Sequence, residues 1–436
     1  MTASDAVLKK FLDGEFTVGI LGLGYVGLPL ALVFAEKGHR TLGFDIDAKK
    51  VALLREGESY IQYVGAERIR AQTAAHTFEA TGDFERLREP DILIICVPTP
   101  LDEHREPDLS YVASTAEEIA KRLRPGQLVV LESTTYPGCT REVLLPALSA
   151  GGLRLDEDFF LAFSPEREDP SNSVYHTQNI PKLVGGVTPR SGELAEAVYG
   201  RVLDRVVLVS TAEVAESAKL LENIFRCVNI ALVNEMKVTL DRMGIDVWEV
   251  IEAASTKPFG FMSFYPGPGL GWHCIPIDPF YLAWKAKACG SETRFIELAG
   301  EVNRAMPAYV VRKIFLALNE DGKPVRGSRV LLLGFSYKKN LGDDRESPAY
   351  DVLEELCEMG ATIEYHDPYL PAIRPTRTHR ITLRSVDLSA EVLRRADCVV
   401  ILTDHSAMDY DMIRKEAGLI VDARNACRRP EKYYPA

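Results

Sequence analysis

The sequence predicts an α/β protein in which two doubly wound α/β domains are joined by a long central helix and a helical middle domain. Three observations carry that expectation. Over residues 16–209 short apolar runs alternate with helix-period stretches, the pattern of parallel strands linked by right-handed helical crossovers. From residue 212 to 242 neither proline nor glycine interrupts a helix-favouring run, apolar on more than one side towards residues 228–233. Beyond residue 323 the strand–helix alternation returns.

The 436 residues leave room for two or three domains, and 46% hydrophobic with 26% charged residues excludes disorder as the main state. A formal net charge of −12 disfavours a bulk nucleic-acid binder, whose affinity rests on Lys and Arg against phosphates. The eight cysteines (96, 139, 227, 274, 289, 357, 398, 427) are scattered without a CxxC pair. That fits a reduced, cytoplasmic chain with neither a disulfide framework nor a metal site. Residues 1–15 are mixed and polar, and no run approaches the ~20 apolar residues that span a bilayer.

In chain order, residues 16–23, 41–44, 91–97, 127–131, 159–163 and 206–209 read as strands, with helices over 25–37 and 111–123. The long helix over 212–242 follows, then a further helical stretch over 247–254. Residues 257–279 form a loop dense in glycine and proline. Helical patterns resume over 280–289 and 295–318, and 321–327 (DGKPVRG) reads as a linker. After it come strands over 329–333, 361–365, 398–402 and 419–421, with a helix over 349–359. The expected division is 1–211, 212–322 and 323–436, its two ends being distant structural repeats with unlike sequences.

Gly22-Leu23-Gly24-Tyr25-Val26-Gly27 follows a strand and opens a helix. In such a Rossmann turn Gly22 permits the tight bend, Gly24 lets backbone approach a pyrophosphate, and Gly27 allows close helix packing. The helix N-terminus then offers N–H groups to the phosphates, Tyr25 and Val26 included. Asp45 ends the next strand, where a carboxylate accepts from a ribose 2′-OH and repels a 2′-phosphate, favouring NAD over NADP. Lys50 is either an adenosine-side contact or a solvated helix lysine. Two later loops, Val97-Pro98-Thr99-Pro100 and Ser133-Thr134-Thr135-Tyr136-Pro137, also follow strands. In an open parallel sheet they fall beside the nicotinamide half of the cofactor, although each alone reads as an ordinary turn.

The densest chemistry lies in Phe264-Tyr265-Pro266-Gly267-Pro268-Gly269-Leu270-Gly271-Trp272-His273-Cys274-Ile275-Pro276-Ile277-Asp278. Its glycines let backbone approach a ligand, and it carries a thiol with a carboxylate four residues on. Cys274 is open to two readings, a small core hydrophobe or a thiolate nucleophile. Lys219 and Asn223, spaced i, i+4, share one face of the long helix.

Together these segments resemble the nucleotide-sugar 6-dehydrogenases. The resemblance is carried by GLGYVGLPLA, the SPERE segment at 164–168, AESAKLLEN at 215–223, the FYPGPGLG-HCIPIDP loop and KKNLGDDRES at 338–347. Within that family HCIPIDPFYL is most similar to the UDP-N-acetylhexosamine branch, such as UDP-N-acetylglucosamine 6-dehydrogenases. The resemblance implies oxidation of a sugar C6 alcohol to a carboxylate with two NAD⁺, for polysaccharide precursors. It implies that Cys274 forms a thiohemiacetal and then a thioester. Lys219 would stabilise the oxyanion, and Asp278 would work with Lys219 and water as acid/base. Asn223 would hold the oxygen, and Glu166 would activate the hydrolytic water with Thr134 as partner. The substrate site would also include Arg167, Tyr265, Gly267, Gly269, Gly271, Lys338 and Arg424, and Arg345 would reach the cofactor. No GxGxxG follows the strand before Gly334, so by resemblance the C-terminal domain binds UDP. The long helix resembles the family's dimer core.

Two positions depart from the family pattern. Trp272 stands where the family ordinarily has glycine, so it either reshapes the sugar pocket, disables turnover, or points away. Lys257 alone supplies charge in 255–259, where the UDP-glucose branch has an arginine. The alternatives are a UDP-glucose or other UDP-hexose 6-dehydrogenase, a two-electron hydroxyacid-type dehydrogenase, or a non-catalytic NAD- and UDP-sugar-binding protein.

Overall fold

The computed structural model describes residues 3–61, 63–102, 106–168, 174–271, 275, 277–375, 379–427 and 433–436. The chain forms two compact units, Met1–Glu222 with Phe280–Ser291, and Asn223–Pro279 with Glu292–Ala436.

The first unit is built on eight strands: β1 (Val18–Leu21), β2 (Thr41–Phe44), β3 (Phe78–Thr81), β4 (Ile92–Ile95), β5 (Gln127–Leu131), β6 (Phe159–Phe163), β7 (Lys182–Gly186) and β8 (Val206–Val209). Their order is β3-β2-β1-β4-β5-β6-β7-β8. β1, β2, β4, β5 and β6 are buried at every position, which is why they read as continuous apolar runs rather than as alternation. Strand order reverses between β1 and β4, and the turns after β1, β2, β4, β5 and β6 leave the carboxyl edge where ligands of open α/β sheets bind. The sheet is mixed, not wholly parallel as expected: β7 runs antiparallel to β6, pairing Ala162 with Gly186 and Phe163 with Gly185. β8 is parallel to β7, so the last two strands are both reversed.

The helix Ala212–Arg242 is continuous, and the boundary between the units falls within it. Val247–Ser255 follows, its N–H at Trp248 capped by Asp246 Oδ1 at 2.9 Å. The expected helical stretch over 295–318 is two helices, Arg294–Arg304 and Met306–Glu320. Pro307 lies in the first turn of the second, where its missing N–H costs nothing.

The second unit ends in strands β9 (Arg329–Leu333), β10 (Thr362–His366), β11 (Ala372–Ile373), β12 (Leu383–Arg384), β13 (Cys398–Ile401), β14 (Ile420–Asp422) and β15 (Tyr433–Pro435). Five of them form a parallel sheet, β10-β9-β13-β14-β15. Alternate residues feed two cores: Val330 and Leu332 pack with Val310, Ile314 and Leu353, whereas Leu331 and Leu333 pack with Leu393 and Ile413. The sheet is therefore covered on both faces, as the doubly wound expectation requires.

Candidate active site

The glycine turn after β1 shows three separate jobs. Gly22 has φ +94°, and a Cβ there would lie 2.6 Å from the Cys96 carbonyl oxygen. A Cβ on Gly27 would fall 1.9 Å from Gly22 O, so the helix Gly27–Glu36 packs onto the turn itself. Around Gly24 nothing lies within 4 Å of the Cβ position, leaving the backbone open to a ligand. Val26 gives the helix no side-chain cap; in its first turn the Leu28 N–H donates to Gly24 O at 3.1 Å and Pro29 carries none, which leaves the Gly27 N–H to a ligand. Asp45 is buried and takes the Leu23 N–H at 3.0 Å and the Asp47 N–H at 2.9 Å. Lys50 Nζ stands 3.8 Å from it, and the Tyr60 hydroxyl donates to Leu23 O. Burial and the neighbouring Asp45 and Asp47 carboxylates push the Tyr60 phenol well above its ordinary range. The Tyr63 hydroxyl donates to Tyr25 O at 2.8 Å, adding a second tie to the turn. An uncapped helix end behind an open glycine backbone, with a carboxylate at the next strand's end, fits a dinucleotide.

The turns after β4 and β5 are joined by the Ser133 hydroxyl donating to Val97 O at 2.7 Å. Thr99 is buried, and its carbonyl accepts from the Tyr281 hydroxyl at 2.8 Å, whereas Pro98 is exposed and Thr134 half-buried. After β6, Arg167 spans Pro181 O at 2.7 Å and Glu222 Oε1 at 2.6 Å. Glu166 lies beside the buried Lys182, with Nζ 3.8 Å from its Oε2.

Lys219 is 8% exposed and has no hydrogen-bond partner among the described residues. One turn earlier lies Glu216, which the spacing argument passed over. Its carboxylate accepts from Gly138 N at 2.6 Å, Thr140 N at 3.0 Å and Thr140 Oγ1 at 2.6 Å. Burial outweighs those hydrogen bonds and raises its pKa to about 7. Its sequence signal was present in AESAK, where Glu216 stands three residues before Lys219 on the same helix face.

In the second unit Asn223 Nδ2 donates to Asp278 Oδ2 at 2.5 Å, and both side chains are buried. The structure thus brings together two residues that sequence separates by 55 positions. The glycine-rich loop is laid directly on the C-terminal sheet domain. Gly267 N–H donates to Asn234 Oδ1 at 3.0 Å, and a Cβ on Gly267 would meet Arg424 Nη1 at 2.5 Å. A Cβ on Gly269, at φ +139°, would meet Pro348, and one on Gly271 would meet Tyr337. Each glycine is a close approach rather than a flexible joint. Tyr265 stacks on Trp248 with ring centroids 5.5 Å apart. Arg424 Nε donates to Leu402 O at 2.9 Å, and burial lowers its pKa. Lys338 is half-buried on the turn after β9. Arg345 turns back on its own segment, its Nη2 lying 2.6 Å from Asp343 Oδ2. Cys274 and Trp272 lie outside the described residues.

Three matches to one family follow one another along the chain. The NAD binding domain of the UDP-glucose/GDP-mannose dehydrogenase family matches residues 16–203, its central domain 213–305 and its UDP binding domain 331–429. The chain belongs to that family. It is a nucleotide-sugar dehydrogenase, with NAD as the cofactor of the first sheet. A relative named UDP-N-acetyl-D-glucosamine 6-dehydrogenase, from Pseudomonas aeruginosa, is 39% identical over 371 residues, covering 84% of this chain and 86% of the relative. One of the same name from Salmonella typhi is 34% identical, covering 90% of each chain. The solved structure of a UDP-D-ManNAc dehydrogenase from Pyrococcus horikoshii superposes with a TM-score of 0.86 at 32% identity, covering 95% of this chain and 96% of that one. Among the described residues no helix is long and apolar enough to cross a membrane.

Proposed function

We propose that this enzyme oxidises the C6 alcohol of a UDP-N-acetylhexosamine, UDP-N-acetylglucosamine first among them, to the uronate in a four-electron reaction. The product would be a polysaccharide precursor made in the cytoplasm. The observation that carries this reading is the glycine-rich loop seated on Arg424, Pro348 and Tyr337 and ending at the buried Asn223–Asp278 pair. A loop so placed joins the nucleotide-binding end of the molecule to a buried acid/base group. The relatives' shared name adds the sugar class.

Bound NAD supplies the hydride acceptor. The remaining work falls to this chain. Lys219 meets the C6 oxygen as negative charge develops on it, and Asp278, oriented by Asn223, takes the alcohol proton with Lys219 and a water. The Cys274 sulfur attacks the aldehyde carbon, and the thiohemiacetal becomes a thioester when the second hydride leaves. Glu166, partnered by Thr134, takes a proton from the water that releases the carboxylate. Gly267, Gly269, Gly271, Tyr265, Arg167, Lys338 and Arg424 hold the substrate. Gly22, Gly24, Tyr25, Val26, Gly27, Asp45, Lys50, Pro98, Thr99 and Arg345 hold the dinucleotide.

The active form is a homodimer or a higher homo-oligomer. On the long helix Phe225, Leu232 and Met236 are 47%, 57% and 39% exposed. Their spacing keeps all three within about 40° of one another around a 3.6-residue helix, an apolar stripe that water alone would not favour.

The deciding experiment counts NADH per sugar over a panel of UDP-hexoses, beside Cys274→Ala, with light scattering for the assembly. Two NADH per UDP-N-acetylhexosamine, lost in the variant, is the expected result. One NADH per sugar, or binding without NADH, would replace this reading.

A further inference from the structure

Behind Glu166 lies a buried charge cluster that the reaction scheme leaves unused. Lys182 Nζ is 2.8 Å from Glu132 Oε2 and 3.8 Å from Glu166 Oε2. Side-chain exposure rises along the series, 0% for Glu132, 7% for Lys182 and 17% for Glu166. The Tyr199 hydroxyl donates to Glu132 Oε1, and its ring lies 5.5 Å from the ammonium. The Glu168 N–H donates to Glu166 Oε1.

An ammonium buried for stability alone needs one carboxylate, and Glu132 already supplies it. The second carboxylate stands farther off and nearer solvent. At 3.8 Å the ammonium attracts Glu166 by charge but is too distant for a hydrogen bond that would occupy its lone pairs. Burial pulls the Lys182 ammonium down, yet the Glu132 and Glu166 carboxylates more than offset this, so it stays charged. The reversed strand produces the meeting: extending the β6/β7 register beyond the pair Phe163–Gly185 brings Glu166 opposite Lys182.

We propose that Lys182 is the positioning residue for Glu166, aiming the carboxylate that activates the hydrolytic water while Glu132 and Tyr199 fix Lys182. This rests on the reading of Glu166 given above. In the step concerned, water adds to the thioester carbonyl and a C–O bond forms as Glu166 takes the water's proton. The C–S bond then breaks, and the sulfur of Cys274 leaves with the electron pair and recovers a proton. Without Lys182 the two hydride transfers proceed and hydrolysis stalls.

The test uses the full-length enzyme with NAD and UDP-N-acetylglucosamine, comparing Lys182→Met, the double variant Glu132→Gln/Lys182→Met, and Glu166→Gln. The double variant removes both buried charges, so it remains informative if the single variant does not fold. The expected result is a rapid burst of NADH followed by a steady state slowed about 100-fold, the scale of a lost acid–base contribution. KM for both ligands falls along with kcat, so that kcat/KM stays near wild type, and intact-mass analysis finds the sugar attached to the enzyme. Folded Lys182 variants that turn over at the wild-type rate, or that lose burst and steady state together, overturn the proposal. If Glu166→Gln hydrolyses normally, the role of Glu166 itself fails. If Glu166→Gln stalls and the Lys182 variants do not, only the assignment of Lys182 fails.

Discussion

Gly22 and Gly334 occupy the same place in two different sheets. Each follows the strand beside the switch in strand order, each has positive φ (+94° and +77°), and each N–H donates across to the neighbouring strand, to Phe44 O at 2.8 Å and His366 O at 2.9 Å. From there the halves diverge. After Gly22 the chain enters a helix within five residues, and Asp45 accepts two backbone N–H groups beside an open Gly24. After Gly334 the helix waits until Ala349, and the corresponding carboxylate, Asp367, is saturated. Its Oδ2 accepts from Phe335 N, Ser336 N, Ser336 Oγ and His405 Nε2, and its Oδ1 from Tyr369 N and Leu370 N. The Asn340 N–H donates to Nδ1 of His405, which leaves Nε2 to carry the proton towards Asp367. The first turn ties down the Leu23 and Leu28 N–H groups and leaves that of Gly27 at the start of the helix, whereas the second ties those of Phe335, Ser336 and Tyr337 to its own oxygens. Among the described residues this difference supports a backbone contact to phosphate in the first half, while the proposed UDP contacts of the second are side chains.

The largest effects expected from breaking this comparison are in Gly27→Ala and Gly334→Ala. Their new Cβ atoms would lie 1.9 Å from Gly22 O and 2.2 Å from Thr403 O, backbone that cannot step aside. Each should lose about 3 kcal/mol of stability in thermal or denaturant unfolding. Only Gly27→Ala should also abolish NAD binding by calorimetry. Loss of NAD binding in folded Gly334→Ala would show that the two turns are not independent.

Asp367→Asn and Asp45→Asn should separate next. Burial alone would raise the Asp367 pKa, but the His405 hydrogen bond and the N–H groups of Ser336 and Tyr369 bring it down to about 2. A depressed carboxylate stabilises the fold above its unfolded pKa, near 4, and that contribution, about 2 kcal/mol, is lost as pH falls towards 2. Asp367→Asn should therefore lower stability at neutral pH, flatten its loss on acidification, and leave the NAD Kd unchanged. Asp45→Asn should do the reverse, weakening NAD about 10-fold and narrowing its preference over NADP. The smallest structural effect is expected for Gly24→Ala. With open space around its Cβ position, stability should stay within about 0.5 kcal/mol, while NAD affinity measured by fluorescence titration falls.

The three glycines of the first turn were legible because each job is local: a φ sign, a gap and a close contact within six residues. The five fully buried strands were legible for a similar reason, since uninterrupted apolar residues announce them. β3 passed unnoticed with an exposed Glu79 inside four residues, as did β7, whose KLVGG begins with a charge and ends in two glycines. β15 ends in a proline at the sheet edge, where a missing donor is tolerated. Pairings such as Glu132–Lys182 and Asp367–His405, 50 and 38 residues apart, exist only once the sheets close. No period or spacing within one sequence encodes them. Glu216 is an intermediate case, since its helix was evident but the N–H groups that it caps belong to another segment.

The reversal of β7 has a thermodynamic side. In a sheet of uniform direction, the first residue of every strand lies at the end away from the ligand, and cations must be brought to it on loops or helices. A strand turned end for end delivers its first residue, Lys182, to the ligand edge while its neighbours are already held in the ladder. A lysine carries about 2 kcal/mol of rotamer entropy. Here that freedom is surrendered when the protein folds, so no part of the substrate's binding energy has to be spent ordering it.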